Sequence, residues 1–376
     1  MNLAELPAID TSPRGIRTHL PLLMIVMVAT GLRIGLALTH PPEPIWPDGN
    51  RYNKIAAHVL SEGEYPAHES RSAPLHPLML ALVYGVFGFH GMTARVVTSI
   101  FGATTCLVLY GLGKRLFSRE AGLVAAMVLA IYPLHVYLSG IYEYPQTLFI
   151  LLLSTAIYQV VSLSQTRDAV LRSVLPGITI GLASMAVPTI ITAIPIIAVW
   201  LLLATRHSWH IRILRAVLVC VGCSSVVLGW SVYIHASTGK FQIGSGAGAE
   251  NLFKGNCALA WEMGKADIAD RYDIEGAPAE HQEAYDEYRA TMQQAKAYPA
   301  GRERNAVYKE AVYRFFREHP SEAGLLLLRK AFLFWCPYAK TVTRHDHNNS
   351  KTQVVQAMTF VPVLLAAVLC VLWRGR

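Results

Sequence analysis

The sequence predicts an all-α protein that crosses a membrane several times, and three observations carry that prediction. Of 376 residues, 53% are hydrophobic and only 15% are charged, against roughly 25% charged in an average soluble protein. Apolar runs close to the roughly 20 residues that cross a bilayer's hydrocarbon layer recur along the chain, at 20–38, 95–113, 121–139, 145–163, 213–234 and 354–373. Basic residues gather in alternate connections: Arg14 and Arg17, then Lys114, Arg115 and Arg119, then Arg167 and Arg172, then Arg206, Arg212 and Arg215, and finally Arg374 and Arg376. Short cytoplasmic loops carry such an excess.

Taken in order, the first run is long and no clean small-residue cleavage site follows it, so it is expected to stay as a span and not be removed as a signal peptide. The segment 39–94 is more than a simple loop. Tyr52, Ile55, Ala56, Val59 and Leu60 fall at helical spacing, which suits an amphipathic helix lying on the bilayer surface. The stretch 74–89 is apolar but short and opens with Pro74 and Pro77. Counting it as a crossing would put the Lys114 and Arg115 cluster outside, so it reads as interfacial or re-entrant. The stretch 173–204 is too long for one crossing and is interrupted by Pro188 and Pro195, which predicts a hairpin of two short spans. The sum is about eight spans with both termini in the cytoplasm.

A second external segment, 235–353, opens with the glycine-rich stretch 244–256. Helical patterns follow near 280–297 and 303–318, the latter with Val307, Ala311, Val312, Phe315 and Phe316 on one face. Residues 322–335 are apolar enough to lie against the membrane, and 343–350 is a polar link to the last span. The domain plan is therefore 1–234 as a transmembrane module, 235–353 as an external helical domain, and 354–376 as the last span and tail.

The formal charge of +8 is mostly topological, and no basic and aromatic surface pattern suggests nucleic acid. Cys106, Cys220, Cys223 and Cys370 lie within apparent spans, where thiols serve as small apolar groups. Cys257 and Cys336 share the external segment, and both a disulfide and two separate thiols are compatible with the sequence. His345, Asp346 and His347 lack the spacing of a metal site. Gly244, Gly246 and Gly248 lack the strand and helix of a nucleotide loop.

Asp48 stands at the outer end of the first span, where water is scarce and a carboxylate is costly without a partner or a task. Pro-Asp-Gly is also good turn chemistry, so position alone leaves a solvated cap and a general base both open. The neighbours favour chemistry. Arg51 and Arg71 can grip phosphate oxygens in a forked geometry, although arginines there can also snorkel to headgroups. Glu143 lies in the short turn between the third and fourth spans, which brings it to the same side as Asp48. Two acids and two arginines facing one compartment at the bilayer edge suit a phosphorylated lipid.

The stretch "PDGNRYNKIAAHVLSEGEYP", followed by "RSAPLHPLMLALVYGVFG", "ARVVTSIFGATTCLVLYGLGKRLFSREAGLVAAMVLAIYP" and "SGIYEYPQTLFILLL", resembles the N-terminal module of GT-C class membrane glycosyltransferases. The likeness is to the bacterial branch related to protein mannosyltransferases and the lipid A aminoarabinose transferase, and it covers about residues 20–205. "GAENLFKGN" and "HPSEAGLLLLRKAFLFWCP" are similar to external-loop motifs of that branch. The resemblance implies an inverting transfer of a sugar from a polyprenyl-phosphate carrier to an acceptor hydroxyl. The site would face the outer side of a bacterial inner membrane, with membrane lipids as surroundings and no nucleic acid as partner. Asp48 matches the family's first-loop catalytic acid, with Arg51 and Tyr52 at the spacing of its motif. Arg71 falls where the family holds the carrier phosphate, and Glu143 lies near its second-loop acid. Asn251, Lys254 and Asn256 would help position sugar or acceptor, and Lys330 would support phosphate binding. The resemblance implies no cofactor. Gly49 stands where many relatives have a second acid, so a bridging divalent metal is not favoured. Val187 replaces an arginine often found in the hairpin, and the acceptor and the sugar stay open.

Two other classes fit parts of the pattern. A non-catalytic binder or carrier of polyprenyl-phosphate lipids would use the same basic entry without chemistry. A transporter would need ionisable groups in mid-span, and apart from Arg33 and His135 the spans carry almost none.

Overall fold

The computed structural model describes residues 19–39, 47–70, 72–140, 144–165, 170–204, 207–239, 241–244, 246–263, 279–299, 301–335 and 350–374. Among these residues the regular elements are all helical. The chain forms two compact units, Met1–Ser245 and Gly246–Arg376.

The first unit runs α1 (Leu20–Thr39), α2 (Pro47–Glu62), α3 (Leu75–Phe87), α4 (Gly91–Leu116), α5 (Arg119–Ile131), α6 (Pro133–Gly140), α7 (Gln146–Gln165), α8 (Val174–Ala186), α9 (Ala193–Ala204) and α10 (Trp209–Thr238). Four of these, α1, α4, α7 and α10, are long and apolar enough to cross a membrane. At 1.5 Å per residue, the 20 residues of α1 reach about 30 Å, the thickness of a hydrocarbon layer. Leu23, Met24 and Met27 of α1 are exposed while Ile25 and Ala29 are buried. The protein is thus an all-helical polytopic membrane protein.

Among the described residues, the helices long and apolar enough to cross number fewer than the eight or so spans expected for the chain. The run 121–139, expected as one crossing, is two helices bent by 58°, and counting that pair as one span raises four to five among the described residues. Pro133 is the cause: it has no N–H to continue the ladder, and it drives Tyr132 into an extended conformation (φ −64°, ψ 113°). The expected hairpin over 173–204 is also two helices, parted at Val187 (φ −136°, ψ 98°) just before Pro188. With the 3-10 turns Val170–Ser173 and Pro188–Thr192 that lead into them, α8 and α9 form the apolar helical stretches Val170–Ala186 and Pro188–Leu203, shorter than the four long helices. Both pack on α10. The approach of α8 to α10 is close enough that a Cβ on Gly177 would strike the Val219 carbonyl, and one on Gly222 the Val174 carbonyl.

The segment between α1 and α4 folds as a small layer of its own. In α2, Ile55 and Ala56 are buried while Lys54 and Leu60 are exposed. The helix packs on α3, with Ala56, Leu80, Ala81, Val83, Tyr84 and Ala94 as a shared core, and Tyr84 donates to Asn53 Oδ1 at 2.7 Å. At 13 residues, α3 is too short to cross, in keeping with the interfacial or re-entrant expectation.

The second unit runs α11 (Gly248–Gly255), α12 (Ala258–Glu262), α13 (Gln282–Lys296), α14 (Arg302–Glu318), α15 (Pro320–Phe334) and α16 (Ser350–Arg374). Phe253 of α11 lies between Tyr288 of α13 (5.5 Å, nearly parallel) and Tyr308 of α14 (5.7 Å). Tyr308, Ala311, Val312 and Phe315 form the buried stripe of α14, which matches the face expected from periodicity. In α15, Ala323 and Leu326 turn inward while Leu325, Leu328, Phe332 and Trp335 beside its end are exposed. The described apolar part of α16, Ala357–Leu369, is shorter than a crossing.

Candidate functional site

Asp48 occupies the first turn of α2. The partial positive charge of a helix N-terminus favours an acid there, and Pro47 before it supplies a preset φ for the first helical position. The side chain is exposed on the surface of the protein, and a hydroxyl reaches it: Tyr144 Oη donates to Asp48 Oδ2 at 3.3 Å. Tyr144 stands just before α7, so this contact ties the start of α2 to the start of α7.

One helical turn beyond Asp48, Tyr52 meets both neighbours edge-on, with its ring 5.2 Å from His76 of α3 and 6.4 Å from Tyr144. Burial pushes the Tyr52 phenol up to about 12, the Asp48 carboxylate adds to the rise, and Arg51 opposes it. Near neutral pH the group is therefore a hydrogen-bond donor and not a phenolate. Tyr65 is raised by burial and by Glu69 in the same sense.

Arg51 is not a lone cation. Its Nε and Nη2 both reach Glu69 Oε2, at 2.7 and 2.6 Å, and Glu69 comes from the short turn Ala67–Glu69. The sequence reading assigned Arg51 to phosphate and did not single out Glu69. The pair is separated by eighteen residues, which no helical or strand spacing links. Tyr144, next to Glu143, carried no role in that reading. The turn after Glu69 is pinned to the same unit's end, where Gln242 Nε2 donates to the Ser70 carbonyl at 2.6 Å and Tyr233 Oη accepts from the Tyr65 N–H at 2.8 Å.

Of the expected site residues, Asp48, Arg51 and Tyr52 share α2, and Arg71 and Glu143 lie outside the described residues. Asn251, Lys254, Asn256 and Lys330 belong to the second unit. Asn251 is exposed on α11. Lys254 pairs with Glu250 one turn back at 3.2 Å. Asn256 is buried, donates to the Leu252 carbonyl at 2.7 Å and accepts from Lys330 Nζ at 2.9 Å. Asn256 and Lys330 are thus brought together at the end of α11, where they join it to α15. Nearby, burial pushes the Cys257 thiol up to about 12; Cys336 lies outside the described residues, as do His345, Asp346 and His347. Among the described residues no three His, Cys, Asp or Glu side chains converge as metal ligands would.

Residues 71–230 match the model of the dolichyl-phosphate-mannose-protein mannosyltransferase family. Among solved structures, the chain is similar to ArnT from Cupriavidus metallidurans, crystallised with undecaprenyl phosphate. The identity is 17% and the TM-score 0.49, with 96% of this chain and 73% of that chain covered. No curated protein sequence matches the chain. Over residues 71–230 the chain is therefore similar to that family, in line with the resemblance read from the sequence.

Proposed function

We propose that the protein is an inverting glycosyltransferase. It moves a sugar from a polyprenyl-phosphate carrier to an acceptor hydroxyl, on a lipid, glycan or protein, at the outer face of a bacterial inner membrane. The observation that carries this reading is an exposed carboxylate, Asp48, anchored by Tyr144 from a second loop in a unit that matches a glycosyltransferase family. Asp48 takes the proton of the acceptor hydroxyl while that oxygen attacks the anomeric carbon. The bond from that carbon to the phosphate oxygen breaks, and the carrier phosphate leaves with the electron pair. Attack opposite the leaving group inverts the anomeric centre. No nucleotide is required, because the lipid phosphate is itself the leaving group. Cations nearby offset the charge that develops on it. Since Arg51 already faces Glu69, its net charge is largely compensated, and the larger share of that role falls to Arg71.

The test is incubation of purified protein with a panel of polyprenyl-phosphate sugars and hydroxyl acceptors, with carrier release as the readout. Asp48→Asn should lower turnover by about 100-fold or more, the usual size of a general-base contribution, and leave carrier binding intact. Full turnover by that variant would remove the assigned role, and binding without turnover by the wild type would point to a lipid carrier.

A further inference from the structure

We infer that Arg33, an arginine inside the first span, is a positioning residue: it donates to the carbonyls at the break between α5 and α6, and so sets the direction of α6 on the way to Tyr144, which reaches Asp48. In an unbroken helix the N–H of residue 133 would bond the Leu129 carbonyl, and that of Leu134 the Ala130 carbonyl. Proline has no N–H, and the bend that follows removes the next donor as well. The Tyr132 N–H turns back to the Leu129 carbonyl at 3.3 Å, and Arg33 reaches both the Leu129 and the Ala130 oxygens. Its Nη2 donates to the Leu129 carbonyl at 3.1 Å and its Nη1 to the Ala130 carbonyl at 3.0 Å.

The remaining contacts aim at the same junction. Nη2 lies 2.8 Å from His135 Nδ1 of α6; a guanidinium only donates, so Nδ1 accepts and the ring is neutral with its proton on Nε2. Nη1 also bonds the Ala29 carbonyl of its own helix at 2.8 Å. The side chain is fully buried, so water cannot stand in for it. Its cation sits at the carbonyl end of α5, where the helix dipole is negative. Space for it is made by Gly102 of α4, where a Cβ would come within 2.7 Å of Arg33 Nε. The far end of α6 is held as well. The Ser139 carbonyl accepts from Thr98 Oγ1 at 2.9 Å and from Ser99 Oγ at 3.2 Å, and Gly140 lies so close to α1 that a Cβ would come within 2.9 Å of the Arg33 carbonyl. The direction in which α6 leaves the break is therefore set by Arg33 at its start and by α1 and α4 at its end. Four residues after Gly140 the chain presents Tyr144 to Asp48.

The bearing of Arg33 on catalysis rests on the role proposed for Asp48, but the staple is testable without turnover. The full-length protein is labelled with 3-fluorotyrosine and the Tyr144 resonance is identified by Tyr144→Phe. That resonance should move in Asp48→Asn and in Arg33→Ala. It should stay in place in Arg215→Ala, which removes another fully buried arginine, one bonded to the Leu163 carbonyl, and so controls for lost stability alone. Adding Pro133→Ala to Arg33→Ala should return part of the shift and of the thermal midpoint, because the new N–H meets the Leu129 carbonyl. A Tyr144 signal unmoved by Arg33→Ala, one moved equally by Arg215→Ala, or strictly additive losses in the double variant would overturn the inference, whatever the transfer assay shows. Should Arg33→Ala fail to fold, Arg33→Lys, which keeps the charge but loses the fork that spans both carbonyls, carries the same expectation. A normal Tyr144 response with no turnover in any variant would sink the transferase reading and leave the staple standing.

Discussion

At the scale of single residues, the site is governed by which polar groups are already engaged. The Arg51–Glu69 pair is partly open to solvent, with side-chain exposures of 33% and 23%, so its contribution to stability is below about 1 kcal/mol. Its larger effect is on charge. Glu69→Gln leaves Arg51 an uncompensated cation beside Asp48 and Tyr52, and binding of undecaprenyl phosphate to the purified protein should tighten. Titration calorimetry against the wild type checks this, and weaker binding would mean that Glu69 orients Arg51 for the phosphate. Tyr52 gives a second expectation. Its phenol ionises at about 12 in the folded protein against 10.0 in the free side chain, so between those values the unfolded chain loses a proton that the folded protein keeps. Stability must then fall as pH rises from about 10 to about 12, with nothing lost from this group below that window. The decline in thermal midpoint over that interval should be shallower in Tyr52→Phe, and an unchanged slope would show that Tyr52 is not the group that resists ionisation.

At the scale of elements, each unit is fastened by a small number of contacts between helices. In the second unit Phe253 bridges α13 and α14 through two stacked tyrosines. It is 2% exposed and lies on a helix of only eight residues, which is far too short to hold itself together without packing. Phe253→Ala should destabilise that unit by about 3–5 kcal/mol, read as a drop in the urea midpoint of its unfolding or as early proteolysis between α11 and α13. In the first unit, α2 and α3 are joined by an apolar face and one buried-side hydrogen bond from Tyr84, which sets the direction from which Asp48 is presented. The break before Pro133 shows the converse: a single residue divides an apolar run that periodicity alone would continue.

At the scale of the whole molecule, the alternation of basic segments makes a claim about sidedness that accessibility mapping can check. A reporter fused after residue 376 should read as cytoplasmic, and one inserted near residue 300, in the link between α13 and α14, should read as external. The opposite pair of signals would invert the topology and move Asp48 to the wrong side for a carrier-borne sugar. The amphipathic stripe of α14, the short amphipathic helix after the first span and the proline that ends α8 were legible in the sequence. Each is a local property: spacing on a 3.6-residue period, or a ring that removes a donor. What tertiary structure decided is partnership: that Arg51 faces Glu69, that Tyr144 caps Asp48, that Lys330 spends its charge on Asn256, and that Arg33 donates to the carbonyls at the break before Pro133. These pairs are distant along the chain and follow no period, so composition and pattern identify a helical membrane protein with an acid just beyond its first span, while only the packing of helices, acting through contacts a few ångströms long, determines which groups remain available for chemistry.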